Sequence, residues 1–272
     1  MNYLNLFTII RKTYKNYTRL LLFAKIKGFP LEAVTRNGRK TNFYYMGDIV
    51  SDYLNVEKGL TFFHDQSLWT DPFTVFINEE YKFLLGGTTI IDIGANIGDS
   101  SLYFALHGAQ RIIAIEPFPQ NFDLLVKNIE VNNIHNIIPL NLMLGNENKY
   151  VNLNIKREIT TGVQAIPSDV GEKIQMVTLT EILDKYSVYD AYLKMDCEGC
   201  EYDSILLENK NTLRKFKKIQ IEYHYGKEKL IEKLKNSGFK VKSTRTKPYF
   251  NRCADNPNML LGYIYAERLS KV

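Results

Sequence analysis

The sequence predicts an α/β protein organised on a doubly wound, mostly parallel sheet. Short apolar runs at 90–93, 111–115, 191–196 and 218–223 have the length and content of buried strands. Stretches of helical period separate them, as at 118–131 and 227–237. The first run leads into Gly94-Ala95-Asn96-Ile97-Gly98, and the second ends in Glu116-Pro117. Strand, glycine loop, helix, strand and acid make a nucleotide-binding βαβ unit, with the carboxylate placed for ribose hydroxyls.

The 272 residues suffice for one large α/β domain with an extension, or for two small domains. The candidate boundary near Gly86-Gly87 separates an extension over 1–87 from a nucleotide-binding domain over 88–272. Apolar residues at 45% and charged residues at 24% exclude a disordered chain. No uncharged apolar run approaches the roughly 20 residues of a membrane-spanning helix, and no leader-like segment is expected. Cys197, Cys200 and Cys253 make no disulfide framework, so the expected setting is reducing and cytoplasmic, with at most peripheral membrane contact. A net charge of +5 is too small to argue for nucleic acid.

Taken in order, residues 1–31 hold six bases and no acid, with Leu6, Ile9, Ile10, Tyr14, Tyr17 and Leu21 at roughly helical spacing. Such a basic amphipathic helix most often packs its stripe on protein. Contact of residues 1–27 with an anionic membrane surface is the functional alternative. Runs at 31–35 and 41–45 flank Asn37-Gly38, a hairpin signal. Residues 57–87 are rich in aromatics, which more often build core than a substrate site.

Beyond the glycine loop, helical spacing runs from Phe118 to about Val131, and a strand over 136–142 leads into Met143, beside which an adenine would sit. Alternation at 150–155 predicts extra strands between two core strands, before a short helix over 181–185. The strand at 191–196 runs into Cys197-Glu198-Gly199-Cys200-Glu201, an acid cluster at the carboxyl edge of the sheet, where ligands bind. A helix over 205–214, a strand ending at His224, an amphipathic helix closed by Gly238, and a hairpin of 239–245 with 260–267 complete the reading.

A dinucleotide loop wants Gly-x-Gly-x-x-Gly. Here three residues separate Gly94 from Gly98, and Asp92 would repel a pyrophosphate. S-adenosylmethionine carries an ammonium and a sulfonium and no phosphate, so Asp92, Gly94, Asn96 and Gly98 with Glu116 suit it better than NAD.

The segments 91–98, 115–117, Lys194-Met195-Asp196-Cys197-Glu198-Gly199-Cys200-Glu201 and Ile221-Glu222-Tyr223-His224 occur in this order. Together they resemble the FkbM family of S-adenosylmethionine-dependent methyltransferases over roughly residues 88–225. The resemblance implies a Rossmann-like class I methyltransferase fold: a seven-stranded, mostly parallel sheet with an antiparallel terminal hairpin. It implies O-methylation of a glycan, glycolipid or secondary-metabolite hydroxyl. By the same resemblance Asp92, Gly94, Ala95, Asn96 and Gly98 match the cofactor loop and Glu116-Pro117 the ribose acid. Asp196, Glu198 and His224 match the motifs on the substrate side.

Methyl transfer is mainly a positioning task. An alcohol acceptor must also lose a proton, and His224 is the candidate base, with Asp196 orienting it, binding a hydroxyl or acting itself. Asp196 and Glu198 could instead hold Mg²⁺, but the sequence identifies no third ligand, so Mg²⁺ stays an alternative that is not favoured. Cys197 and Cys200 read as small residues in a tight turn. The alternatives are an NAD-linked oxidoreductase and a non-catalytic membrane-associated binding module.

Overall fold

The computed structural model describes residues 31–34, 40–46, 49–55, 75, 79–153, 165–250 and 258–270. The expected basic helix over 1–27 and the aromatics from Phe62 to Phe76 lie outside these. The hairpin is present, with a third strand added. β1 (Leu31–Val34), β2 (Lys40–Met46) and β3 (Ile49–Asn55) form an antiparallel sheet in which Val34 faces Lys40 and Met46 faces Ile49. Among the described residues no helix is long and apolar enough to cross a membrane.

The nucleotide unit follows as β4 (Thr89–Ile93), α1 (Asp99–Leu106), β5 (Arg111–Ile115) and α2 (Pro119–Val131), then β6 (Ile137–Leu140). Pro119 opens α2, where its missing N–H costs nothing. Four short strands come next: β7 (Met143–Leu144), β8 (Lys149–Leu153), β9 (Pro167–Ser168) and β10 (Glu172–Val177). They form a separate sheet of order β7-β10-β8-β9. Thr178 and Glu181 cap α3 (Leu179–Lys185) reciprocally, and β11 (Ala191–Met195) follows.

Of the helix expected over 205–214 only α5 (Lys210–Leu213) is helical, and α4 (Cys200–Ile205) precedes it, ending where the expected helix begins. The side chain of Asn209 accepts from the Thr212 amide and so starts a new helix there. The chain ends in β12 (Phe216–Tyr223), α6 (Glu228–Asn236), β13 (Phe239–Ser243), β14 (Lys247–Phe250) and β15 (Asn258–Arg268).

The large sheet has the order β13-β15-β12-β11-β4-β5-β6, with β14 added on β15. β4, β5, β6, β11 and β12 are parallel, and β15 runs antiparallel to β12, β13 and β14. Strand order reverses beside β4, so the crevice at the carboxyl ends of β4 and β11 is the ligand position of a doubly wound sheet. Alternate residues feed two cores. Ile91, Ile93, Ile113 and Ile115 face Leu183, Ile205, Leu230 and Leu234 on one side. Ile90, Ile112 and Ala114 face Leu102, Phe104 and Leu125 on the other, where Tyr81 and Leu84 also pack.

One register row across this second side is polar. Asp92 of β4 faces Lys194 of β11, Lys194 faces Gln220 of β12, and Gln220 faces Tyr265 of β15. A buried strand with charged residues needs them paired, and the row supplies the pairing.

Candidate active site

The glycine loop is held from beneath. Lys194 is 2% exposed, and its ammonium donates to the carbonyls of Ile93 (3.2 Å) and Gly94 (2.7 Å). Nζ also lies 3.2 Å from Asp92 Oδ1. Burial alone would lower the Lys194 pKa, but Asp92, Asp196 and Asp99 hold it above the ordinary lysine value. Asp92 itself is 0% exposed, and its Oδ2 accepts from Ser100 and Ser101 at 2.6 Å each. This corrects the expectation that Asp92 offers its carboxylate to a cationic ligand: the charge is taken by Lys194, and both serines lie on α1. Sequence reading passed over Lys194 as a site residue, although a lysine inside an apolar strand was the available signal.

Gly94 (φ +72°) admits no side chain, because a Cβ there would stand 1.8 Å from the Asp196 carbonyl oxygen. The cofactor loop and the acid motif after β11 therefore touch backbone to backbone. Ala95 is buried, and the amides of Gly94 and Ala95 both donate to the Ile115 carbonyl. Gly98 (φ +93°) precedes α1 in the left-handed region.

Glu116 stands at the end of β5 and is 3% exposed. Oε2 accepts from the Asn96 amide at 2.9 Å, and Oε1 accepts from the Phe118 amide at 3.1 Å and from Asn121 Nδ2 at 3.2 Å. Burial pushes the carboxyl up to about 7 against the lowering pull of these three donors. The carboxylate thus ties the glycine loop to the start of α2, beside half-buried Pro117.

Met143, expected beside the adenine, lies in the small sheet. β7 pairs with β10, and Met143 is buried among Val151, Leu153, Ile174 and Met176 in the small sheet's own core. Asn141, just beyond β6 and not singled out in the sequence, donates from Nδ2 to the carbonyls of Glu116 (2.9 Å) and Pro117 (3.1 Å).

On the neighbouring strand ends, Asp196, Glu198 and His224 come together. His224 is 2% exposed. Its Nε2 lies 3.2 Å from Glu198 Oε2 and 3.7 Å from Asp196 Oδ1. Its Nδ1 meets Glu201 Oε1 at 2.7 Å, and the other Glu201 oxygen accepts from the Gly199 amide at 2.9 Å. Glu201 is the fourth member of this group, fully buried and absent from the expected set. Burial opposes charge on the ring, yet Glu201, Glu198 and Asp196 push the His224 pKa up to about 10. Both ring nitrogens face carboxylates, so the ring holds its protons between them and is not poised as a free base.

Cys197 and Cys200 are joined as a disulfide that staples the turn carrying Glu198, which corrects their reading as merely small residues. From the other side, the Tyr81 hydroxyl donates to Asp196 Oδ2 at 3.3 Å. The Tyr263 hydroxyl bridges the carboxyls of Glu80 and Glu222. Burial raises the Glu222 carboxyl well above the usual range, with Asp196 and Glu80 adding to the rise.

This sheet order, with a glycine loop at its switch point and a buried acid at the end of β5, defines a class I, Rossmann-like α/β fold of the methyltransferase kind. The family model "Methyltransferase FkbM domain" matches residues 92–241, more than half of the chain. The chain belongs to the FkbM family and is an S-adenosylmethionine-dependent methyltransferase.

No curated protein matches the sequence. Among solved structures it is similar to a precorrin-6y C5,15-methyltransferase of Geobacter metallireducens, at 15% identity and TM-score 0.42, covering 71% of this chain and 87% of that one. It is similar to M. jannaschii TYW2 in complex with AdoMet, at 15% identity and TM-score 0.38, over 84% and 87% of the two chains. It is also similar to the N-terminal domain of EvdMO1 in the presence of SAH and D-fucose, at 13% identity and TM-score 0.42, over 71% and 81%.

Proposed function

We propose that the chain transfers the methyl group of S-adenosylmethionine to a hydroxyl oxygen of a glycan, glycolipid or other secondary metabolite. The observation that carries this reading is the convergence of Asp196, Glu198 and His224 at the ends of β11 and β12, with the Asp196 carbonyl against Gly94 of the cofactor loop. Carboxylates beside a methyl donor suit an acceptor that has protons to donate, as hydroxyls do.

In this reading the loop 94–98 approaches the cofactor with its backbone, Glu116 takes the ribose hydroxyls, and Asn141 borders the adenine. The acceptor oxygen attacks the methyl carbon in line with sulfur. The O–C bond forms, the S–C bond breaks with its electrons left on sulfur, and the hydroxyl proton passes to a carboxylate. Asp196 is the better placed acceptor of that proton, being about a quarter exposed, while His224 is enclosed. His224 and Glu201 then act as positioning residues for Asp196 and Glu198.

Calorimetric titration of the full chain with S-adenosylmethionine and S-adenosylhomocysteine tests the cofactor side. A screen of saccharide and glycolipid hydroxyls with radiolabelled donor tests the acceptor side. Label transferred to oxygen, and lost in Asp196→Asn while donor binding persists, is the expected result. Label on nitrogen or carbon of the preferred acceptor overturns the O-methylation reading.

A further inference from the structure

Two carboxylates did not suffice for a metal site when only the sequence was considered, and the fold adds the missing donor. Three ligand atoms, one each from Asp196, Glu198 and His224, lie within 4.8 Å of one another. A cation with bonds of about 2.1 Å in octahedral geometry separates adjacent ligand atoms by about 3 Å. The separations of His224 Nε2 from Glu198 Oε2, 3.2 Å, and from Asp196 Oδ1, 3.7 Å, are within small side-chain adjustments of that edge.

The imidazole is a donor of a different kind from the acids, and it is independently prepared. It is 2% exposed, so the ring is held by packing rather than by solvent. Nδ1 is fixed on the fully buried Glu201, leaving Nε2 aimed between the other two carboxylates. Among the described residues the hydrogen bond of the ring runs through Nδ1, and Nε2 makes only the two ion-pair contacts. A ligating histidine with its second nitrogen on a carboxylate is the usual support for a metal-bound imidazole. Charge points the same way: three carboxylates surround one ring, and even an imidazolium leaves the group anionic.

We propose that Asp196, Glu198 and His224 form a divalent-cation site of one nitrogen and two carboxylate ligands, the cation replacing the proton on His224 Nε2. Such a mixed, oxygen-rich set suits Mn²⁺, with Mg²⁺ held more weakly. Its open positions face the acceptor side of the cofactor loop. The cation holds the acceptor hydroxyl together with a neighbouring oxygen, which selects vicinal diols and hydroxy acids over isolated alcohols. That acceptor preference rests on the O-methylation reading; the cation site itself does not.

The test uses the full chain, stripped with chelator and titrated with Mn²⁺ alone, followed by electron paramagnetic resonance. The expected result is one bound Mn²⁺ with a nitrogen hyperfine coupling. Glu198→Gln weakens binding at least about tenfold, and His224→Gln removes the nitrogen coupling. Glu198 is partly exposed, so its variant remains informative if His224→Gln does not fold. No bound Mn²⁺ by about 1 mM in folded protein overturns the proposal, as does affinity unchanged in Glu198→Gln. Label transfer from S-adenosylmethionine is measured on the same samples. Mn²⁺ bound at this site with label carried to nitrogen or carbon of the acceptor sinks the O-methylation reading and leaves the cation site standing.

Discussion

At the scale of single residues, two buried acids behave differently. Glu116 is raised to about 7 by burial, above its ordinary 4.5, so the ligand-free fold holds this proton more tightly than the unfolded chain does. Its contribution to stability is therefore lost as pH rises from about 4.5 through about 7. Ribose hydroxyls donate best to the ionised carboxylate. The affinity for S-adenosylmethionine should accordingly fall as pH drops below about 7, approaching about tenfold per pH unit. Calorimetry across pH 5 to 8 checks this, and Glu116→Gln should bind weakly with a flatter profile. Asp92 is instead committed to Lys194. Asp92→Ala leaves a buried ammonium unpaired and should cost about 3–5 kcal/mol in urea unfolding. Replacing Asp92 and Lys194 together by apolar residues should recover much of it. A stable Asp92→Ala protein with no cofactor affinity would instead give Asp92 a direct contact. That Asp92 lies on the strand leading into the glycine loop was legible in the sequence. Its partner was not, because the pairing depends on which strand lies next to β4.

At the scale of elements, legibility follows how local the determinant is. The strands β4, β5, β11 and β12 were readable because each is a short apolar run with the next element's signal close behind. α3 was readable as a short helix over 181–185, and its reciprocal cap explains why it starts two residues earlier, at Leu179. Thr178→Ala should lower stability by about 1 kcal/mol in thermal or urea unfolding. It should leave cofactor affinity unchanged, since neither capping residue borders the site. α4 was missed because the acid-rich run 200–203 reads as a strand-end cluster, and the helix expected from Ile205 begins only at Lys210, where Asn209 caps it. The small sheet was half legible. Alternation predicted its strands, but the pairing of β7 with β10, which turns Met143 inward, joins residues far apart in sequence.

At the scale of the whole molecule, the expected cut at Gly86-Gly87 meets the core. Val75, Tyr81 and Leu84 are buried in the same cluster as Leu102, Phe104 and Ile112. Gln220 donates to the Glu80 carbonyl, Lys218 donates to the Phe83 carbonyl, and Tyr81 reaches Asp196 across 115 residues. Contacts of that range leave no local pattern, so an aromatic-rich stretch before the nucleotide unit could be read as cover or as core. The packing favours core, and a truncation tests it. A chain beginning at residue 88 loses three buried apolar side chains at about 1.5–3 kcal/mol each. It also opens the hydrogen bonds of Lys218, Gln220 and Asp196 to solvent. That loss is comparable to the whole stability of a typical domain, about 5–15 kcal/mol. The 88–272 fragment should therefore be recovered insoluble or without a cooperative melt, while a 75–272 fragment should melt cooperatively and bind S-adenosylmethionine. Cooperative melting of both fragments at the same temperature would restore the boundary at Gly86-Gly87 and make residues 75–87 a cover.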